Sequence, residues 1–249
     1  MDLKGAVAIV TGGNGGLGQR ICHALAEAGT HVAVVYNNSH DDAQQIANDL
    51  QKKGARAEAI QCDVADPQQV QALANRVLDR FGRIDILIND AAYNKWIPFR
   101  DLDALTYEEW KKILDINLTG PMLCIKAVTP AMRKQGNGRI VNVSSRVGFV
   151  PSGSSIAYAV SKAGLIHLTR CMAVGLAPEI LVNCVAPGYM EGTRATASLA
   201  PAFQERAKAE SLLKRAANKD DIADQVLAFC RTNSITGQTL VIDCGLVFH

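Results

Sequence analysis

No apolar run in this 249-residue sequence approaches the roughly 20 residues that span a bilayer, so a soluble, cytoplasmic protein is expected. The N-terminus, MDLKGAVAIVTGG, has no basic region leading into a cleavage site, and no secretory leader is expected. There is no CxxC. The seven cysteines (Cys22, Cys62, Cys124, Cys171, Cys184, Cys230 and Cys244) form an odd set in mostly apolar surroundings, which suits free thiols in a reducing compartment. The five histidines show no paired spacing such as HExxH, and no metal site is expected. Low-complexity segments, Pro/Ser-rich linkers and repeats of 20 to 50 residues are missing, which favours one domain over 1–249. Lys+Arg total 26 against 24 Asp+Glu, a net charge of +2 scattered along the chain, so nucleic acid is not expected as a partner.

What is present alternates. Short runs rich in Val and Ile occur at Ala6 to Val10, His31 to Tyr36, Ala57 to Cys62, Ile84 to Ile88, Arg139 to Val143, Ile180 to Val185 and Thr239 to Ile242. Each fits a strand buried on both faces. Between them, helical apolar spacing covers Leu17 to Ala28, Asp41 to Lys53, Pro67 to Phe81, Tyr107 to Arg133, Ile156 to Leu176 and Asp220 to Cys230. Alternating β and α of this kind predicts a seven-stranded parallel α/β sheet, doubly wound, with helices on both faces. The segment 187–213 breaks the rhythm, and an insertion of that length after a strand predicts a lid over a substrate site.

Directly after the first expected strand stands Thr11-Gly-Gly-Asn-Gly-Gly-Leu-Gly18, and a helical pattern follows at once. Glycines there allow a sharp turn and let a pyrophosphate approach the N–H groups and dipole of a helix N-terminus. Two registers fit: GxGxxG at Gly13, Gly15 and Gly18, and TGxxxGxG with Gly12, Gly16 and Gly18. Dinucleotide binding is expected. An acid at the tip of the second strand would grip the ribose 2′-hydroxyl of NAD. That position reads Tyr36-Asn37-Asn38-Ser39, and the first acid, Asp41, falls on the next helix. NADP(H) is therefore favoured, with NAD(H) possible. No Arg or Lys occurs between Arg20 and Lys52, so Asn14, Asn37, Asn38 and Ser39 would be neutral donors to a 2′-phosphate. Asp63, closing the third strand, can accept from the adenine amino group or serve as a plain turn aspartate.

Tyr158 and Lys162 are four apart in Tyr-Ala-Val-Ser-Lys, on one face of an expected helix. An ammonium beside the phenol would lower its pKa from about 10, making Tyr158 an acid/base near neutral pH. An ordinary half-exposed helix face is the plainer reading of the pair alone. Ser145 tips that balance: it follows the strand Arg139 to Val143, and ligands in such sheets bind beyond the carboxyl ends of strands. Asn89 follows the fourth strand, and Asn117 falls within a long helical pattern where an amide is otherwise awkward.

Together these residues resemble the short-chain dehydrogenase/reductase family, over essentially the whole chain and in motif order. The resemblance implies a Rossmann-type fold, with Tyr158 as acid/base and Ser145 orienting the carbonyl. Lys162 would bind the nicotinamide ribose and tune the tyrosine, and Asn117 would support a proton relay. It also implies cofactor contacts from Gly12, Asn14, Gly16, Leu17, Gly18, Tyr36, Asn37, Asn38, Ser39, Asp63, Val64, Asn89, Ala91, Pro187, Gly188 and Thr193, besides Tyr158 and Lys162. Three departures stand out. Asn89-Asp-Ala-Ala92 replaces the commoner Asn-Asn-Ala-Gly, a change expected to act on packing at the adenine side. The family's threonine five residues past the proline is here Gly192, with Thr193 next. Met172 to Ile180 also lacks the basic residues that acyl-carrier-protein reductases present.

The segments that choose substrate in this family carry Lys95, Trp96, Arg146, Phe149, Val150, Tyr189, Met190 and Phe203 here. They predict a small amphipathic carbonyl or alcohol. Arg146 or Lys95 can pair with an anionic group, or either is a solvated rim charge. The expected reaction is hydride transfer between a nicotinamide and a ketone or secondary alcohol, nearest to 3-oxoacyl-thioester reductases and small polyol or alcohol dehydrogenases. A nucleotide sensor without turnover is the alternative. A homotetramer is expected through Leu114, Ile116, Leu118, Met122, Leu123 and Ile125 on one helix and Ile166, Leu168 and Met172 on another, with a second interface at the tail, Gly245 to His249.

Overall fold

The computed structural model describes residues 1–193, 196 and 201–248, apart from the Phe203 side chain. Seven parallel strands form one sheet in the order β3-β2-β1-β4-β5-β6-β7. They are β1 Val7–Thr11, β2 His31–Tyr36, β3 Ala57–Gln61, β4 Ile86–Asn89, β5 Gly138–Val143, β6 Ile180–Pro187 and β7 Thr239–Ile242. β1, β4 and β5 are buried at every residue because helices cover both faces, which is why they read as continuous apolar runs. The strand order reverses between β1 and β4, and their register sets Thr11 opposite Asn89. A crevice at the carboxyl ends of those two strands is where such sheets place ligands.

Helices α1 Gly18–Glu27, α2 His40–Lys52 and α8 Lys219–Arg231 bury Ile21, Leu25, Leu50 and Val226 on one face. On the other, α3 Pro67–Phe81, α5 Gly120–Gln135 and α6 Ile156–Leu176 bury Val70, Leu73, Val128 and Leu176. Local chemistry sets the ends. Asp66 accepts from the Gln68 and Gln69 N–H groups at 2.8 and 3.3 Å, Pro67 opens α3, and Gly82 closes it at φ 82°. Ser155 accepts from the Tyr158 N–H at 3.1 Å, which sets Tyr158 in the first turn of α6 and Lys162 in the next.

The single helix expected over Tyr107 to Arg133 is broken. α4 covers Tyr107–Leu114, a π-helical turn covers Asp115–Thr119, and α5 begins at Gly120. Pro121 has no N–H to return to the Asn117 carbonyl, so the α pattern cannot pass through this point. Asn117 is pulled inward at the same place. Its Oδ1 accepts from the Tyr93 N–H at 2.8 Å, and its Nδ2 donates to the Tyr93 carbonyl and to Ser161 Oγ at 3.0 and 3.1 Å.

Part of the apolar surface expected at a subunit interface is spent inside the chain. Ile125 and Ile166 are buried, Leu118 packs on Gly164, and Ile116, Leu123 and Met172 lie against the core. Exposed instead are Tyr107, Val160 and Val174 along α4 and α6, with Phe248 in the tail, while His249 lies outside the described residues. The 187–213 segment contains α7, Pro201–Glu210, and part of that segment also lies outside the described residues. Among the described residues no helix is long and apolar enough to cross a membrane.

Candidate active site

The glycine loop is a cradle that side chains would fill. A Cβ on Gly18 would stand 2.2 Å from the Gly12 carbonyl oxygen, one on Gly12 2.9 Å from the Ala91 backbone, and one on Gly16 2.7 Å from the Gly192 carbonyl. Two cavities adjoin it, meeting at Gly12, Asn14, Ala91, Ala92 and Asn94. The first, beyond β5 and β6, is lined by Gly16, Leu17, Ser145, Tyr158, Lys162, Pro187, Gly188 and Thr193. The second, over β2 and β3, is lined by Tyr36, Asn37, Asn38, Asp63 and Val64. An elongated dinucleotide, laid across the crevice with its pyrophosphate at Gly12 to Gly18, fits this arrangement.

Four expected site residues lie outside both cavity walls. Gly18 sits behind the Gly12 carbonyl, and Ser39 stands beyond β2 at φ 65°. Asn89 lies beneath the floor, donating to Asn142 Oδ1 at 2.9 Å, and Asn117 is held by Tyr93 and Ser161. Other polar groups are already engaged. Asn14 donates to the Asn38 carbonyl at 2.9 Å, tying the glycine loop to the β2 tip. The Tyr36 hydroxyl meets His40 Nδ1 at 2.7 Å, and one Asp63 oxygen accepts from the Ala65 N–H at 2.9 Å. The turn reading of Asp63 therefore holds, alongside its place in the cavity wall.

Tyr158 hydrogen-bonds with Ser145, whose hydroxyl also reaches toward the Pro187 carbonyl at 3.5 Å. Lys162, 2% exposed, donates from Nζ to the Val143 carbonyl at 2.8 Å and stands 5.7 Å from the Tyr158 ring centroid. The expected lowering of the phenol pKa is not what this geometry gives. Burial pushes Tyr158 up to about 12, the Ser145 hydrogen bond opposing and the Asp90 charge adding. That shift favours the protonated hydroxyl. Burial brings Lys162 down to about 8, opposed by the charge of Asp90 and by Cys184.

Asp90 departs from the placement expected for the Asn89–Ala92 change, whereas Ala92 lines both cavities. Asp90 lines the first cavity and not the second, and its Oδ2 would stand 2.9 Å from a Cβ on Gly18. The Thr11–Asn89 register explains this: the residue after Asn89 must face the loop after Thr11. Burial pushes the carboxyl up to about 7, opposed by Lys162 and the Gly18 N–H. Its ordinary value is near 3.9, so between those pH values the folded chain holds a proton that the unfolded chain releases. Stability is lost as pH rises through that window. The stability gained by Asp90→Asn is expected to grow by about 1–3 kcal/mol between pH 5 and pH 8. Thermal melts giving the same difference at both pH values would contradict this placement.

A glycine cradle beside a half-buried tyrosine and serine and a buried lysine on the switch edge of a parallel sheet defines a nicotinamide-dependent oxidoreductase. A profile of short chain dehydrogenases matches residues 6–203, and the chain belongs to that family. It is 37% identical over 244 residues to the 3-oxoacyl-[acyl-carrier-protein] reductase FabG of Staphylococcus aureus, covering 96% of this chain and 97% of the relative. A short-chain type dehydrogenase/reductase from Mycobacterium marinum superposes at TM-score 0.89 with 32% identity, covering 99% and 96% of the two chains. The NADPH-dependent 3-quinuclidinone reductase of Rhodotorula rubra superposes at 0.90 with 26% identity, covering 98% and 92%.

Proposed function

We propose that this enzyme works as a carbonyl reductase, turning a small ketone of 3-oxoacyl type into a secondary alcohol at the expense of NADPH. The observation that carries the reading is that Tyr158, Ser145 and Lys162 line one cavity beside the glycine loop. When bound, the reduced nicotinamide supplies the hydride to the carbonyl carbon. Tyr158 gives its hydroxyl proton to the carbonyl oxygen, and Ser145 orients that oxygen by hydrogen bonding. The Lys162 ammonium stabilises the phenolate left behind. NADPH oxidation followed with a panel of ketones and 3-oxoacyl thioesters tests the reading, and tight nucleotide binding without turnover on any of them would favour a sensor.

The preference for NADP(H) is supported by the β2 tip, where Asn37 and Asn38 are exposed and line the second cavity. Without an arginine to grip the phosphate, the expected advantage in kcat/KM is about ten- to hundred-fold. Tyr36 is buried and bonded to His40, so the informative substitution is Asn37→Asp, expected to reverse the order. A wild-type enzyme faster with NADH than with NADPH would sink the assignment.

A homotetramer is the proposed assembly. Val174, 85% exposed on α6, and Phe248, 80% exposed in the tail, support two separate interfaces. Light scattering at micromolar concentration is expected to give about four times the 26.7 kDa chain mass, and a monomer mass would refute it. Five buried free cysteines support a reducing, cytoplasmic setting.

A further inference from the structure

The catalytic cavity has three charged residues among its described lining residues, and they are unequally placed. Asp90 lies against the glycine loop and Lys162 against Val143, both on the cofactor side. The third, Arg146, directly follows Ser145, lines the same cavity and is bonded to neither the glycine loop nor Val143. Around it the wall is mostly apolar, with Trp96, Val147, Tyr189 and Met190.

The neighbouring cations are neutralised. Lys95, the other candidate for an anionic group, is bound to Glu109 at 2.8 Å and lies outside the cavity wall. Lys208 is shared between Glu191 and Glu205, at 3.1 and 2.6 Å. Among the described residues no carboxylate pairs with the Arg146 guanidinium.

Arg146 also stands on a fixed base. It opens a single 3₁₀ turn, Arg146–Gly148, in which the Gly148 N–H donates to the Ser145 carbonyl at 2.9 Å. That turn is pressed onto α6: a Cβ on Gly148 would stand 2.7 Å from Ile166 Cδ1 and 2.9 Å from the Lys162 carbonyl oxygen. The arginine backbone is therefore held in register with Ser145, Tyr158 and Lys162. An anion gripped by its planar fork in an apolar cleft makes short, charge-assisted hydrogen bonds, and a carbonyl a few bonds away would be carried to Ser145 and Tyr158.

We propose that Arg146 determines specificity by binding an anionic oxygen group, carboxylate or phosphate, close to the carbonyl of the substrate. The preferred substrate class is then an oxo acid or oxo phosphate rather than a neutral ketone or ester. This rests on the carbonyl-reductase reading and narrows it.

The test compares matched pairs at saturating NADPH: acetoacetate with its methyl ester, and dihydroxyacetone phosphate with dihydroxyacetone. In the wild type, kcat/KM for one anionic member is expected to exceed its neutral partner by about 10- to 100-fold, the scale of charge-assisted hydrogen bonds. Whichever pair shows the larger ratio identifies carboxylate or phosphate. Arg146→Gln should collapse that ratio toward one, mostly through KM, and Arg146→Lys should restore it in part, because an ammonium lacks the bidentate fork. Ratios near one in the wild type, or a loss in Arg146→Gln that is equal for both members of a pair, would overturn the proposal. Should none of the four compounds, nor the wider ketone panel, oxidise NADPH, the reductase reading fails by itself. The anion site is then read by titrating acetoacetate and dihydroxyacetone phosphate into the NADPH-bound protein: binding lost in Arg146→Gln supports it, and absence of binding to the wild type refutes it.

Discussion

Tyr158→Phe is expected to lower kcat by about 10² to 10⁴ while the Kd for NADPH stays nearly constant. The substitution deletes one oxygen and its proton, and keeps the ring that packs at the cavity wall. Removing a group that acts only in the transition state lowers kcat and kcat/KM together. Burial pushes the phenol up to about 12, which favours its protonated form. Among the described residues the cavity wall holds no second phenol within the Ser145–Lys162 cluster, and the Ser145 hydroxyl reaches toward the Pro187 carbonyl. Stopped-flow or steady-state NADPH oxidation, paired with fluorescence titration of the cofactor, measures both quantities. Retention of more than about a tenth of the wild-type rate would remove Tyr158 from its role.

Lys162→Ala is expected to act on two quantities at once, lowering kcat by roughly 10²-fold and weakening NADPH by about tenfold. Its ammonium is buried against the Val143 carbonyl, faces the charge of Asp90 and stands over the tyrosine ring. Deleting it leaves a buried carbonyl unpaired and a buried carboxyl without its cation, so a lower melting temperature should accompany the kinetic loss. The pH profile separates the electrostatic role from mere packing. With the ammonium titrating near 8, wild-type reduction should fall as pH rises through that value, because the cation that stabilises the phenolate is lost. The variant should lack this limb. An alkaline limb unchanged in Lys162→Ala would assign it to another group.

Asn117 shows how an anomaly visible in the sequence can hide its physical reason. An amide in a helical pattern is visible in the sequence as an anomaly. That it breaks the helix into α4, a π turn and α5 depends on Pro121 and on bonds to Tyr93 and Ser161, 24 residues before and 44 after it. Asp90 is the converse. The sequence shows the departure from Asn-Asn-Ala-Gly, but only the pairing of β1 with β4 tells that Asp90 enters the first cavity while Ala92 lines both.

Local periodicity by itself determined the seven-stranded parallel fold, the glycine cradle and the Tyr158–Lys162 pair, since strand runs, sharp turns and i, i+4 spacing are properties of short segments. The order β3-β2-β1-β4-β5-β6-β7 brought Ser145 to that pair, as expected of ligand sites at strand ends. Only the tertiary structure decided the remainder: which apolar helix residues are spent inside the chain, that burial raises the Tyr158 phenol, that Asp90 faces the glycine loop, and that Lys95 is paired while Arg146 is left in the cavity wall. Burial and charge pairing are sums over segments far apart in the chain, and a residue's own neighbours in sequence carry almost none of that sum.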